Sequence, residues 1–158
     1  AKEYADISPE QERFLEAVWP GKVTVVLRTT ARTHAEIDAD SRGKPSRFVV
    51  REGTIGMRVP DDEFLQKILR EMGIPLAQTS ANVSGMPPAR SAEEVRVCFK
   101  AIKRSPNILL DGGVRAGDAS SVIDLSGLVP LVLREGAFPK ARLFELLRDS
   151  GFSGFSGL

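Results

Sequence analysis

Four short stretches of the chain carry side chains suited to gripping an anion. The run Thr79-Ser80-Ala81-Asn82, inside GIPLAQTSANVSGMPP (73–88), sets two hydroxyls and an amide next to one another. At the edge of a sheet, such a run offers neutral O–H and N–H donors to a phosphate, and Gly85 lets the backbone come close to a ligand. GTIGMRVP (53–60), SSVID (120–124) and LREGA (133–137) have the same character, each placing a hydroxyl or an arginine beside small residues. If their strands lie side by side, Arg58 and Arg134 supply fixed positive charge to a triphosphate or carboxylate, while Thr54, Ser80 and Ser120 donate neutral hydrogen bonds. None of these residues is assigned as a catalytic acid or base. Plainer roles compete: Arg58 and Arg134 as surface partners of acids, Ser120 and Ser121 as filling of a half-buried strand, Asp124 as a turn cap, and Gly112-Gly113 as a turn.

Composition narrows the chemistry further. Cys98 is the single cysteine and His34 the single histidine, so neither a disulfide framework nor a thiolate or histidine metal cluster is expected. The 158 residues, 42% hydrophobic and 27% charged, suit one soluble domain with a real core, assigned to 1–150 with a flexible tail at 151–158. No apolar run approaches a membrane span and no leader opens the sequence, so the expectation is a cytoplasmic protein without a membrane partner. The net charge of +1 conceals an excess of four positive charges between Lys22 and Arg58 and a second basic run, Arg90, Arg96, Lys100, Lys103 and Arg104. Such a distribution favours a polyanion on one face, nucleotide or RNA, while solvated surface is the commoner explanation of mixed charge.

The elements that must position these residues are short. Ser8-Pro9-Glu10-Gln11 reads as a capping box opening a helix with Phe14, Leu15, Val18 and Trp19 on one face, stopped by Pro20-Gly21. VTVVL (23–27) reads as a buried strand, and Thr29 to Ser46, including His34, as a solvent-facing excursion. Strands are expected at 48–50 and 55–59 around a Gly53-Thr54 turn, then a helix capped by Asp61 with Phe64, Leu65, Ile68, Leu69 and Met72 on one face, closed by Gly73. The apolar run Ile74 to Ala77 reads as a central strand leading into the polar loop. Ser91 with Glu94 reads as a second capping box, for a helix in which Cys98 is a packed thiol. Strands at 107–110, 120–125 and 131–134 and a helix opened by Pro139 complete an α/β (α+β) domain: one twisted, mixed, mostly open sheet flanked by helices.

W-P-G-x-x-T-x-V-L (19–27), G-T-x-G-x-R-x-P (53–60), T-S-A-N-x-S-G-x-P (79–87), L-D-G-G (110–113), S-S-V-I-D (120–124) and R-E-G-A (134–137) follow in that order. Together they resemble the YrdC-type L-threonylcarbamoyladenylate synthases, over nearly the whole chain. The resemblance implies an enzyme, a nucleotidyltransferase, that condenses L-threonine, bicarbonate and ATP into threonylcarbamoyl-AMP and pyrophosphate. The product feeds N6-threonylcarbamoyladenosine formation at position 37 of tRNA. It further implies that Thr54, Ser80, Asn82 and Arg134 contact ATP or the adenylate and that Arg58 and Ser120 hold threonine. It also implies that Mg2+ comes with ATP, that no fixed metal is required, and that the partners are tRNA-modifying enzymes, with tRNA or double-stranded RNA as a further candidate.

Two departures from the family pattern stand out. Pro88 occupies a position where the family has a nucleotide-binding serine, and the opening P-T-D/E-T-V-Y-G-L segment with its K-x-R pair does not precede Trp19. The chain thus resembles a family member lacking about its first fifty residues, by typical domain length. Alternative readings are a non-catalytic double-stranded RNA or tRNA-binding module, a carbamoyltransferase-type relative, or an inactive fragment of the synthase.

Overall fold

The computed structural model describes residues 1–33, 49–115 and 117–157. The expected surface excursion, His34 included, therefore lies mostly outside the described residues. The chain divides into two compact units, Ala1–Leu76 with Asp118–Leu158, and Ala77–Gly117.

The larger unit is built on a six-stranded mixed sheet of order β2-β3-β1-β4-β5-β6. Its strands are β1 (Val23–Arg28), β2 (Val50–Arg51), β3 (Thr54–Met57), β4 (Ser121–Asp124), β5 (Leu131–Arg134) and β6 (Ser156–Gly157). β1 pairs parallel with β4 and β5 parallel with β6; the remaining pairs are antiparallel. Strand alternation sends Val23, Val25 and Leu27 of β1, Ile123 of β4 and Val132 of β5 to one face, where all are buried. Phe14, Leu15 and Val18 of helix α1 (Pro9–Val18) and Leu143 and Leu147 of a C-terminal helix, Lys140–Asp149, pack on that face.

Local chemistry sets the α1 boundaries. Ser8 Oγ accepts from the Gln11 N–H at 3.2 Å while Gln11 Oε1 accepts from the Ser8 N–H at 2.8 Å, the reciprocal box expected from the sequence. Past the helix, a side chain at Gly21 would stand 2.4 Å from the Val18 carbonyl oxygen, so only glycine lets the chain turn there into β1. Trp19 leans on the core and its indole N–H donates to the Val23 carbonyl at 2.8 Å, as befits a residue that closes the core. The hairpin between β2 and β3 turns at Glu52-Gly53, with φ of 52° and 71°, one residue earlier than the Gly53-Thr54 turn anticipated. Two consecutive left-handed residues match the twist of the flanking strands.

Helix α2 (Glu63–Met72) ends at Gly73, φ 64°, as expected, but its cap is Asp62 and not Asp61: the Asp62 carboxylate accepts from the Leu65 N–H at 3.0 Å. Its apolar stripe exists yet buries no residue, with Phe64 58% exposed. The strand expected at Ile74 to Ala77 does not form. Pro75 removes a ladder donor, no strand pairs with the run, and Ile74 and Leu76 are exposed. The same holds for 107–110, where Ile108 and Leu110 are exposed. Apolarity alone does not make a strand; a neighbour must supply the other half of the hydrogen-bond ladder.

At the C-terminal side the helix Lys140–Asp149, here α4, begins after Pro139 as expected. The stretch anticipated as a flexible tail is instead tied down: β6 pairs with β5, Phe155 stacks on Phe144 with ring centroids 4.6 Å apart, and Phe152 leans on the core.

The smaller unit carries helix α3 (Ala92–Ala101). Ser91 Oγ accepts from the Glu94 N–H at 3.1 Å, but the Glu94 carboxylate reaches one residue further back than a capping box requires, to the Arg90 N–H at 2.7 Å. Cys98 is only partly buried, so the packed thiol of the sequence reading is corrected to a boundary position on an exposed helix. Among the described residues, no helix is long and apolar enough to cross a membrane.

Candidate active site

The core face of the sheet is spent on packing; chemistry falls to the opposite face. Thr24, Val26 and Arg28 alternate with the buried β1 residues, and register places Gly56 and Thr54 of β3 and Val122 of β4 beside them. On this face the structure brings together Ser120, Arg134 and Thr24, the threonine of the W-P-G-x-x-T-x-V-L motif, to which the sequence alone assigns no role.

Ser120 and Ser121 stand at the head of β4 with opposite duties. Ser121 is fully buried. Its hydroxyl donates to the Phe138 carbonyl at 2.6 Å and accepts from the N–H groups of Gly136 at 2.9 Å and Phe138 at 3.1 Å. The Ala137 N–H adds a bond to the Ala119 carbonyl at 2.8 Å. These bonds staple the segment after β5 to the head of β4. A Cβ at Gly136 would lie 2.2 Å from the Ala119 carbonyl oxygen, so the glycine of the R-E-G-A motif is there for close backbone approach.

With the two segments stapled, Arg134 reaches back over Ser120. Nε and Nη2 donate to the Ser120 carbonyl at 3.1 and 2.7 Å, and Nη2 also lies 3.4 Å from Ser120 Oγ. Three of the five guanidinium N–H groups are not needed for the fork on the carbonyl, and Nη1 makes no hydrogen bond among the described residues. Arg134 is exposed, so this fixed cation faces solvent with donors to spare. Ser120 Oγ in turn lies 2.8 Å from Thr24 Oγ1.

The other expected residues of this unit stand apart. Thr54 donates its hydroxyl proton to the Arg51 carbonyl at 2.7 Å across the hairpin turn, a bond it must exchange before it can donate to a ligand. Arg58 directly follows β3, is exposed, and makes no hydrogen bond or ion pair among the described residues. Among the described residues, an ion-pair role is therefore not what holds it.

Ser80 and Asn82 belong to the smaller unit. There Asn82 works as a bracket: its side-chain N–H groups donate to the Val83 carbonyl at 3.0 Å and the Met86 carbonyl at 2.9 Å, and its Oδ1 accepts the Ser80 hydroxyl. The left-handed residue of the loop is Gly85, φ 84°. Ser80 and Pro88 are exposed. Replacing Ser80 by Ala removes a hydroxyl from an exposed loop whose framework rests on Asn82. Thermal melting should then hold within about 0.5 kcal/mol of wild type while nucleotide affinity falls, a split read by calorimetric titration beside a thermal melt. A collapse in stability would make Ser80 structural instead. The second basic run also falls in this unit, where Arg96, Lys100, Lys103 and Arg104 line, with Phe99, an open hollow of about 580 Å³.

Comparison with known proteins follows the same lines. Residues 1–136 match the Sua5/YciO/YrdC family model, described as telomere recombination. The threonylcarbamoyl-AMP synthase of Pyrococcus abyssi (strain GE5 / Orsay) is 32% identical over 145 residues, covering 91% of this chain and 38% of that protein. The threonylcarbamoyl-AMP synthase of Serratia proteamaculans (strain 568) is 37% identical over 110 residues, covering 64% of this chain and 52% of the relative. Among solved structures, P. abyssi Sua5 complexed with L-threonine superposes with a TM-score of 0.74 at 27% identity, over 98% of this chain and 41% of that one. E. coli YciO gives 0.69 at 26% identity, over 87% and 61%. The chain thus spans about half or less of the length of these synthases.

Proposed function

The chain belongs to the Sua5/YciO/YrdC family, and from that premise we propose that it serves as a threonylcarbamoyl-AMP synthase. In this reading it condenses L-threonine, bicarbonate and ATP into threonylcarbamoyl-AMP and pyrophosphate, in the cytoplasm. Partner tRNA-modifying enzymes then consume the product in making N6-threonylcarbamoyladenosine at position 37 of tRNA. The observation that carries the reading is the linked Thr24–Ser120–Arg134 group, an exposed guanidinium with unused donors beside a serine hydroxyl on the unpacked face of the sheet. The threonine complex of P. abyssi Sua5 adds support for an amino-acid ligand on this fold.

The chemistry asks little of acids and bases. The threonine amine attacks bicarbonate, forming an N–C bond as a C–O bond breaks and water leaves, or attacks the CO2 derived from it, forming the same bond and shedding a proton; either way the product is a carbamate. A carbamate oxygen then bonds to the α-phosphorus of ATP as pyrophosphate leaves. Both steps gather negative charge around phosphate and carboxylate groups, so positioned cations and neutral donors carry the rate. Arg134, Thr54, Ser80 and Asn82 are assigned to ATP and the adenylate, and Arg58 and Ser120 to threonine. Mg2+ enters bound to the nucleotide, as part of the substrate. Incubation with ATP, bicarbonate and L-threonine should release pyrophosphate above a control without threonine; release at the level of the control sinks the proposal.

One observation favours a second reading, RNA binding. Lys100, Lys103 and Arg104 form no ion pair among the described residues and line one hollow with Phe99, a composition that attracts phosphates and can stack a base. Affinity for a short RNA duplex that falls steeply between about 50 and 200 mM salt, without any dependence on threonine or ATP, would support it.

A further inference from the structure

We propose that Thr24 is a positioning residue for the substrate carboxylate, acting through Ser120; the inference rests on the synthase reading above. Thr24 sits in a strand whose alternate residues, Val23, Val25 and Leu27, are all buried, and it is the one hydroxyl on the other face of β1. A valine there would satisfy the strand equally well in shape and β preference, so the hydroxyl needs a separate explanation. Among the described residues, the one polar contact of its hydroxyl is Ser120 Oγ at 2.8 Å.

That contact decides which way Ser120 points its proton. A serine hydroxyl has one proton and two lone pairs. The Arg134 guanidinium, with Nη2 3.4 Å from Ser120 Oγ, faces one lone pair and disfavours a proton on that side. When Thr24 donates to the second lone pair, both acceptor sites of Ser120 are filled and its own proton is directed outward as a donor. The chain Thr24 O–H to Ser120 O–H to carboxylate is then polarised in one sense, and each bond strengthens the next. The Ser120 carbonyl is held meanwhile by the Arg134 fork, which leaves the residue no other freedom than the rotation Thr24 fixes. Beside this pair Gly56 leaves the face bare: a Cβ there would stand 3.7 Å from the Thr24 methyl, in the space an incoming amino acid requires.

The test compares Thr24→Val, which keeps shape and removes the hydroxyl, with Thr24→Ser, which keeps the hydroxyl. L-Threonine affinity is measured by calorimetric titration, with ATP affinity and thermal melting alongside. Thr24→Val should weaken threonine binding about five- to tenfold, leave ATP affinity and the melting temperature within error, and raise KM for threonine without a matching loss of kcat. Thr24→Ser should recover most of the loss. Unchanged threonine affinity in Thr24→Val, or an equal loss for threonine and ATP accompanied by a lower melting temperature, overturns the positioning role while leaving the synthase reading in place. Wild-type protein that binds no threonine overturns both.

Discussion

Arg134→Ala should weaken ATP binding by about 1.5–3 kcal/mol, roughly ten- to a hundredfold, because a charge-assisted phosphate bond from a preoriented guanidinium is lost. The arginine is exposed and its fork on the Ser120 carbonyl occupies only part of its donor set, so the fold has little invested in it. Melting of the variant should therefore stay close to wild type. Arg134→Lys makes the reading sharper. Lysine keeps the charge but has no planar fork, so it cannot hold the Ser120 carbonyl with two parallel bonds and still present two donors outward. Its nucleotide affinity should fall between those of wild type and the alanine variant. Equal ATP affinity in all three proteins would remove Arg134 from the site.

The largest effect on stability is expected one residue from Ser120. Ser121→Ala deletes the hydroxyl that joins the Phe138 carbonyl and the N–H groups of Gly136 and Phe138, in a place water does not reach. Stranding three backbone groups around a buried position together should cost about 2–4 kcal/mol, which for a chain of this size lowers the melting temperature by about 5–15 °C. Ser120→Ala, on the opposite face, should leave the melting temperature nearly unchanged and reduce threonine affinity. Adjacent serines with opposite phenotypes are a strong check on the strand phase. Similar melting losses in both variants would mean that the phase, and with it the placement of Ser120 on the ligand face, is wrong.

How far the residues foretold this arrangement depends on the range of the interaction involved. Features decided within one turn of chain were legible: the Ser8–Gln11 box, the Gly73 stop, and the start of α4 after Pro139. So were β1, β4 and β5, whose apolar patterns coincide with real partners. The runs at 74–77 and 107–110 look as strand-like by composition, yet pairing depends on a distant neighbour that composition does not reveal. Asp61 and Asp62 are equally good caps by type, and only the direction in which the chain enters the helix separates them. In the site, Arg134 and Ser120 were visible as motif members, and the bond between them is real. Thr24 stands in a motif too, but its role and the inward hydrogen bonds of Ser121 were not legible, since a strand shows its two-residue alternation without saying which phase faces the core. The C-terminal stretch was misjudged because its glycines and serines masked two phenylalanines with places to pack.

The order of the sheet has a consequence for how copies of the molecule behave in company. Among the described residues, both outermost strands, β2 and β6, are two residues long, while every strand of four or more residues has a neighbour on each side. An edge that short offers a visiting chain too few free amides and carbonyls to template a growing ladder, and β2 ends at once in a left-handed turn. Among the described residues, the apolar strands β1 and β4 are thus kept away from the rims.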